Sequence, residues 1–173
     1  MNFLYRTSLI LALAALSACA TETLHSSARP ALSAKARWAV APFANYTTTP
    51  GAGRRAASMA TSLLLAHGFK NTVAITARTQ SGLPLESIPN PKRLLVKAQD
   101  HGARYLLQGA VQEWRYTIGL DGQPAVAVTL NVVSVRTGRT LWTATGSRSG
   151  SPRESVGVLA ERTLNAMVTR LVP

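Results

Sequence analysis

The stretch Ala125–Val135, AVAVTLNVVSV, carries an apolar residue at nearly every second position. A period of two is that of a β-strand with one buried face, because successive side chains in a strand point to opposite sides of the sheet. Turn-forming sequences flank it, GLDG at residues 119–122 and RTGR at residues 136–139. Beyond these turns, long strands are predicted at Arg104–Ile118 and Thr140–Ser147. The sequence therefore predicts three long antiparallel strands in a meander.

Shorter elements precede the meander. The apolar run Arg37–Phe43 predicts a buried strand, and the polar loop after it leads into a helix with Thr49 as its N-cap and Pro50 in its first turn. The apolar stripe of this helix consists of Ala56, Ala60, Leu63 and Leu64. A short strand, a proline-rich loop and a second helix are then expected at residues 72–77, 80–91 and 93–101.

The last predicted element is a helix with a capping box. Ser151-Pro152-Arg153-Glu154 combines a capping serine, a proline at the first helical position and a glutamate at the third. The apolar face of the helix consists of Val156, Leu159, Thr163, Leu164, Met167 and Leu171. The predicted order is β-α-β-α-β-β-β-α. This order indicates a single α/β (α+β) domain, a mixed, three-layer-like sandwich with a β-meander and helices packed on the sheet.

The N-terminal residues have the features of a secretory signal. A basic residue, Arg6, is followed by an apolar run from Leu9 to Leu16, which is shorter than the roughly 20 residues of a membrane-spanning helix. Cys19 is the only cysteine, and the ending Leu-Ser-Ala-Cys resembles bacterial lipoprotein signals, in which the cysteine is acylated. The alternative is an ordinary signal followed by a chance cysteine, although free thiols are usually avoided in an oxidising compartment.

Lipid on Cys19 would fix the location of the chain. Several acyl chains anchor far more firmly than one, and Ala20, in place of an aspartate, resembles the outer-membrane sorting class of Gram-negative bacteria. We expect a cleaved signal peptide (1–18), a short flexible tether (19–35) and a periplasmic α/β domain (36–173). The expected location is the outer membrane, with the domain facing the periplasm. No cofactor is expected apart from the covalent lipid.

The charge of the chain does not identify a partner. Its 19 Lys and Arg residues outnumber its 7 Asp and Glu residues, giving a formal net charge of +12. In a cytosolic protein this excess would indicate nucleic acid, but the secretion signal excludes that partner. The basic residues are scattered, so a solvated basic surface is the simplest interpretation. Attraction to anionic lipid headgroups near the anchor is the alternative.

No arrangement typical of an enzyme is visible. The carboxylates are dispersed, without paired spacing or a Ser-His-Asp order. His67 and His101 each precede a helix-ending glycine, where a partly positive ring suits the helix C-terminus, and no histidine pair has zinc-ligand spacing. The segment Gly51–Ala56 loosely matches G-x-G-x-x-A, but no acidic residue follows about 20 positions later to hold a ribose. We therefore expect a non-enzyme without a metal.

Three aromatic residues lie on the long strands. Trp142 is predicted to pack in the core. Trp114 and Tyr116 lie on one face of their strand, next to the turn that contains Asp121. Core packing is the simple interpretation for this pair too. If exposed, they would contact a membrane interface, a sugar or a neighbouring subunit.

Several motifs resemble those of known lipoproteins. Trp38–Thr47 and Val128–Trp142 are similar to the periplasmic domain shared by the curli secretion lipoprotein and the lipoprotein activators of penicillin-binding proteins. The chain resembles more specifically the outer-membrane lipoproteins of Pel exopolysaccharide export, over nearly all of its mature length. The motifs are EWRY at 113–116, GLDGQPAV at 119–126 and the Ser-Gly step at 149–150 before Arg153-Glu154.

The resemblance implies a non-catalytic export component. Members of that family form a homo-oligomeric ring beneath an outer-membrane β-barrel porin, and the acidic mouth of the ring guides a cationic exopolysaccharide. Cys19 would be the lipid attachment site, and Asp121 would contact the polysaccharide or a neighbouring subunit. The alternative for Asp121 is a plain turn residue.

Two features depart from the family pattern. Ser151 stands where a membrane-seating tryptophan is expected, so another aromatic residue or the lipid alone would take that role. A net charge of +12 is also unusual for an acidic funnel. An acidic mouth would require the basic residues to cluster on the membrane side of the ring, where they would also attract anionic headgroups.

Two related functions are the alternatives. A lipoprotein activator of a peptidoglycan synthase needs a long tether to reach through the cell wall, whereas roughly 16 residues extend at most about 55 Å. A curli-type secretion channel needs extra alternating segments of about 10 residues to cross the bilayer, and the chain has none to spare. Both comparisons favour export.

Overall fold

The computed structural model describes residues 21–28, 31–75, 90–117 and 122–172. These residues form seven strands and three helices. In chain order they are β1 (Glu22–Ser26), β2 (Trp38–Val40), β3 (Ala44–Asn45), α1 (Ala52–Ala66), β4 (Thr72–Ala74), α2 (Pro91–Asp100), β5 (Tyr105–Tyr116), β6 (Pro124–Ser134), β7 (Thr140–Ser149) and α3 (Val156–Thr169).

All of these strands belong to one mixed sheet. Its order is β1-β7-β6-β5-β2-β4, with β3 pairing beside β5. Strands β5, β6 and β7 form the predicted antiparallel meander. On one side of it β2 and β4 add in parallel, and on the other β1 adds antiparallel. The predicted mixed sheet with a β-meander is confirmed.

The segment predicted as a flexible tether contributes the first strand. Glu22–Ser26 pairs along its whole length with Ala144–Arg148 of β7. The hydroxyls of Thr23 and Ser147 lie 2.7 Å apart, and Leu24 packs against the core. Without β1, β7 would be an edge strand with a row of unpaired backbone groups. The sequence did not predict this pairing, because the segment is polar and the pairing depends on backbone groups.

The side chains of the strands alternate between two cores. Trp38, Val40 and Leu107 face α1 and α3, whereas Ala39 and Leu106, on the same strands, face α2. The sheet therefore lies between two helix layers, which confirms the predicted three-layer arrangement. Helix α2 covers only the half of its face around β2 and β5, and none of the described helices packs on the other half.

The first helix begins differently from the prediction, and Thr49 is not its N-cap. Helix α1 starts after Gly51, which has a φ of 78° that favours glycine. The Thr49 hydroxyl instead donates a 2.5 Å hydrogen bond to the backbone carbonyl of Trp114. Gly53 passes so close to Phe43 that a Cβ would overlap its carbonyl oxygen. Backbone conformation and close packing therefore explain the glycines of the G-x-G-x-x-A match.

The predicted capping box of the last helix is also wrong. Helix α3 starts later, and the side chain of Ser155 accepts a 3.2 Å hydrogen bond from the backbone N–H of Val158. The carboxylate of Glu154 lies over Gly150 and forms a 2.5 Å ion pair with Arg162, so it does not cap the helix. The apolar face of the helix is as predicted, with Leu159, Thr163, Leu164, Met167 and Leu171 all buried.

Candidate membrane-proximal surface

One end of the sheet brings the start of β1 next to the β5–β6 hairpin. We call it the anchor end, and it comprises residues 21–22, 116–117, 122–124 and 148–154. The backbone N–H of Ser149 donates to the carbonyl of Thr21 at 3.0 Å, and that of Gly150 donates to Pro124 at 2.9 Å. Four segments that are far apart in the sequence are thus held together.

The candidate lipid attachment site is two residues upstream of the anchor end. Cys19 lies outside the described residues, and Thr21 is the first described one. Because an extended chain spans at most about 3.6 Å per residue, a lipid on Cys19 would attach within about 7 Å of Thr21. The pairing of β1 therefore leaves two residues where a tether of roughly 16 was expected.

Asp121 also lies outside the described residues. It belongs to the connection between β5 and β6, whose ends are joined by a 3.0 Å hydrogen bond from the N–H of Thr117 to the carbonyl of Gln123. Both of these residues are at the anchor end. A contact of Asp121 with polysaccharide or with a neighbouring subunit stays a prediction.

The two predicted contact aromatics have different environments. Trp114 is only 6% exposed and packs in the core, with the guanidinium of Arg55 over its ring at 5.6 Å. Tyr116 is 43% exposed, and its hydroxyl donates to the carbonyl of Pro152. That hydrogen bond joins Tyr116 to the residue that follows the exposed Ser151, the position at which the resemblance implies a tryptophan. Trp114 therefore packs in the core, which was the simple interpretation, and a membrane or subunit contact of Tyr116 remains a prediction.

Trp142 and the two helix-ending histidines occupy the positions that the sequence indicated. Trp142 is buried in the core between the sheet and α3. His67 and His101 are the C-cap residues of α1 and α2. The Nε2 atom of His67 also lies 2.7 Å from Asn165 Oδ1, which connects α1 to α3. These contacts place both histidines at helix ends, as the sequence predicted.

Ion pairs in the described parts of the chain concentrate near the anchor end. Three are formed there, each between an arginine and a glutamate at 2.5 or 2.6 Å: Arg115–Glu113, Arg148–Glu22 and Arg162–Glu154. The opposite end of the sheet carries an open groove of about 950 Å³ lined by Arg104, Arg136 and Arg139. No described carboxylate pairs with these three arginines. Basic residues are therefore found at both ends, so the expected clustering on the membrane side is not observed among the described residues. Near the anchor end, however, three arginines are paired with glutamates, which leaves less uncompensated positive charge there than around the groove.

No group of three or more His, Cys, Asp and Glu side chains in the described ranges could hold a metal ion. None of the described helices is long and apolar enough to cross a membrane.

The chain was compared with known proteins. No protein-family model and no curated protein sequence matches it. A PelC dodecamer from Paraburkholderia phytofirmans is 34% identical, with a TM-score of 0.77 over 88% of this chain and 98% of its own. A second PelC dodecamer from the same organism is also 34% identical, with a TM-score of 0.74 over 87% of this chain and 99% of its own. Lipoprotein GNA1162 from Neisseria meningitidis is 20% identical, with a TM-score of 0.53 over 78% of this chain and 99% of its own. It shares the fold.

Proposed function

Since the chain belongs to the PelC family, we propose that it is a lipid-anchored accessory subunit of Pel-type exopolysaccharide export at the outer membrane. The observation that carries the proposal is the 34% identity and the shared fold over 88% of the chain. The proposed role is non-catalytic: the subunit forms part of a periplasmic ring beneath a β-barrel porin.

The short distance between lipid and domain supports this role over the main alternative. An activator of a peptidoglycan synthase must reach away from the outer membrane through the cell wall. With β1 paired to β7, only two residues separate Cys19 from the sheet, a reach of about 7 Å. A domain anchored in this way stays against the inner face of the membrane, where the mouth of a porin is found. The likeness to GNA1162 supports a related fold only.

The ring is proposed from the assembly of the relatives. The two similar PelC structures are dodecamers, and we propose twelve copies here. Their anchor ends would face the bilayer, with Tyr116 in the place of the family's tryptophan. Tyrosine suits this position because one end of its ring is apolar and its hydroxyl is polar.

Guidance of a cationic polymer depends mainly on Asp121 in this proposal. Twelve copies of one carboxylate would form an acidic circle at the anchor end, and weak attraction at many sites raises local polymer concentration without trapping the polymer. The groove around Arg104, Arg136 and Arg139 is at the opposite end and would repel a cation. We therefore assign the polymer contact to the anchor end.

Crosslinking in the native envelope, followed by mass spectrometry, tests the proposal. The anchored wild-type chain is expected to crosslink to itself and to a large outer-membrane β-barrel protein. A Cys19→Ser variant, which cannot be acylated at this position, is the control and should lose the barrel crosslinks. Crosslinks to a penicillin-binding protein in place of the barrel would contradict the proposal and support the synthase activator.

A further inference from the structure

We propose that, in the ring, the uncovered part of the sheet in one copy packs against the α1–α3 helix layer of the next copy. The inference rests on the proposed function, because it assigns the contact surfaces of the proposed ring. It follows from three features of the described chain: a neutral sheet face, a helix surface with exposed apolar side chains, and the angle between the two.

The first surface, which we call the threonine face, is the half of the sheet that none of the described helices covers. It consists of the exposed His25 of β1, which pairs with Thr145, and of six hydroxyl and amide side chains of β1, β6 and β7: Thr23, Thr129, Asn131, Thr143, Thr145 and Ser147. The neighbouring residues on these strands, such as Val128, Leu130 and Ala144, point to the opposite core. Cross-strand register places the six side chains side by side, and the hydroxyls of Thr129 and Thr145 lie 3.2 Å apart. The face is therefore flat and pre-ordered.

The absence of charge makes this face unusual for this protein. Its positions on the three strands carry no Asp, Glu, Lys or Arg, although the chain has 26 such residues, 19 basic and 7 acidic. A solvent-facing surface typically carries about a quarter to a third charged residues. Depletion of charge is typical of the buried centre of a protein–protein interface. Small hydroxyl side chains also lose little conformational entropy when another surface covers them.

The second surface is the outer side of the helix layer. A cleft of about 340 Å³ between α1 and α3 is lined by Ser58, Met59, Ser62, Leu63, Ala66 and Glu161. Leu65 on α1 and Val158 on α3 are each 44% exposed. Glu161 is the only charged residue that lines this cleft, and the exposed Arg55 and Arg162 lie beside it on the two helices. The small side chains of the cleft allow a sheet to approach the helix backbone closely.

The two surfaces point in nearly opposite directions, because one is the bare side of the sheet and the other is the helix layer on its far side. In a closed ring of twelve, each copy turns by about 30° from its neighbour, since 360° is divided by twelve. The contact surfaces on one copy must then face almost opposite ways. The threonine face and the helix layer meet this requirement and form a heterologous, head-to-tail contact.

Other described surfaces fit a copy of the chain less well. The edge strand β4 has only three residues and offers few backbone hydrogen bonds. The groove around Arg104, Arg136 and Arg139 would bring like charges together. The anchor end would face the bilayer.

Substitutions on the two surfaces test the inference through the size of the assembly. We expect Thr145→Glu on the sheet and Ser62→Glu on α1 each to raise the concentration for half-assembly of the full-length lipoprotein at least tenfold, measured by native mass spectrometry in detergent. The matched control is Thr137→Glu in the exposed β6–β7 turn, which should assemble like the wild type. Unchanged thermal unfolding of each variant shows that a loss of assembly is not a loss of folding.

A crosslink between the two surfaces identifies the pairing directly. Cysteines introduced at Thr145 and Ser62 in one chain, treated with a short bismaleimide, should give a ladder of covalent oligomers. Dimers formed by Thr145→Cys alone would indicate face-to-face packing and overturn the inference. Full assembly of both glutamate variants would overturn it too, while leaving the proposed ring standing. A wild type that stays monomeric in the native envelope would overturn both.

Discussion

At the scale of single residues, the backbone around Phe43 decides how α1 joins the sheet. Gly53 and Gly109 approach Phe43 from two sides, Gly53 at its carbonyl oxygen and Gly109 at its ring. A side chain at either position would have to displace backbone or a buried aromatic ring. The sequence showed Gly53 only as part of a loose G-x-G-x-x-A match and did not single out Gly109, because a close approach in space leaves no local pattern.

Gly53→Ala is therefore expected to destabilise the protein. Its methyl group would overlap backbone that cannot move cheaply, so we predict a loss of about 1–3 kcal/mol in the free energy of unfolding. Urea denaturation followed by circular dichroism measures it. Gly157→Ala is the control, since a Cβ there meets only Ser155 Oγ at 3.9 Å, and alanine in a helix should be neutral or stabilising by up to about 1 kcal/mol. Equal stability of the two variants would contradict this account of Gly53.

The start of α3 provides a second test at the residue scale. Ser155→Ala removes the side-chain acceptor for the N–H of Val158 and should cost about 0.5–2 kcal/mol in unfolding free energy. Ser151→Ala, at the serine that the sequence pattern indicated as the cap, should change stability by less than about 0.5 kcal/mol. The reverse ranking in thermal or urea unfolding would show that the capping box at Ser151 is used after all.

At the scale of elements, local periodicity predicted the long strands well and the contacts of short elements poorly. Strands β5, β6 and β7 lie within one or two residues of their predicted ends, because alternation can be read from neighbouring residues alone. The predicted starts of α1 and α3 were wrong because side-chain contacts outside the capping pattern decide them: Thr49 bonds to Trp114, and Glu154 pairs with Arg162. The strand β1 was missed because its pairing to β7 joins residues more than 100 positions apart.

Hydrogen exchange tests whether β1 is part of the folded domain. The amides of Glu22–Ser26 that bond to β7 should exchange at least a hundredfold more slowly than in an unfolded chain, because exchange requires opening of the sheet. Mass spectrometry of peptides from the full-length protein would detect this protection. Exchange at the unfolded rate throughout residues 22–26 would show that this segment is a flexible tether. The short distance between lipid and domain would then no longer argue against a synthase activator.

At the scale of the whole molecule, the anchor end joins features that the sequence presented separately. Cys19, the turn that contains Asp121 and Ser151 were recognised as separate motifs. The pairing of β1 and the hydrogen bonds of Ser149 and Gly150 bring the described segments beside these motifs to one end of the sheet. Burial of Trp114 could not be read from the sequence, since either face of the strand was compatible with the pattern. The basic groove formed by Arg104, Arg136 and Arg139 was likewise not predicted, because the basic residues are scattered along the sequence.

Lengthening the link between lipid and domain tests the importance of close anchoring. Fifteen Gly and Ser residues inserted after Ala20 would let the domain move about 20 Å from the bilayer. We expect the variant to fold with unchanged stability and to export several-fold less exopolysaccharide, because the proposed ring would no longer be held against the proposed porin. Full export by this variant would show that close anchoring is unnecessary.

Secreted exopolysaccharide, compared between the native strain and a strain lacking this chain, tests the central claim most directly. We predict that the extracellular polymer falls to background without the chain. Wild-type protein should restore it, whereas the Cys19→Ser variant should not. Unchanged secretion together with a cell-wall synthesis defect would contradict the export function and indicate an activator of peptidoglycan synthesis.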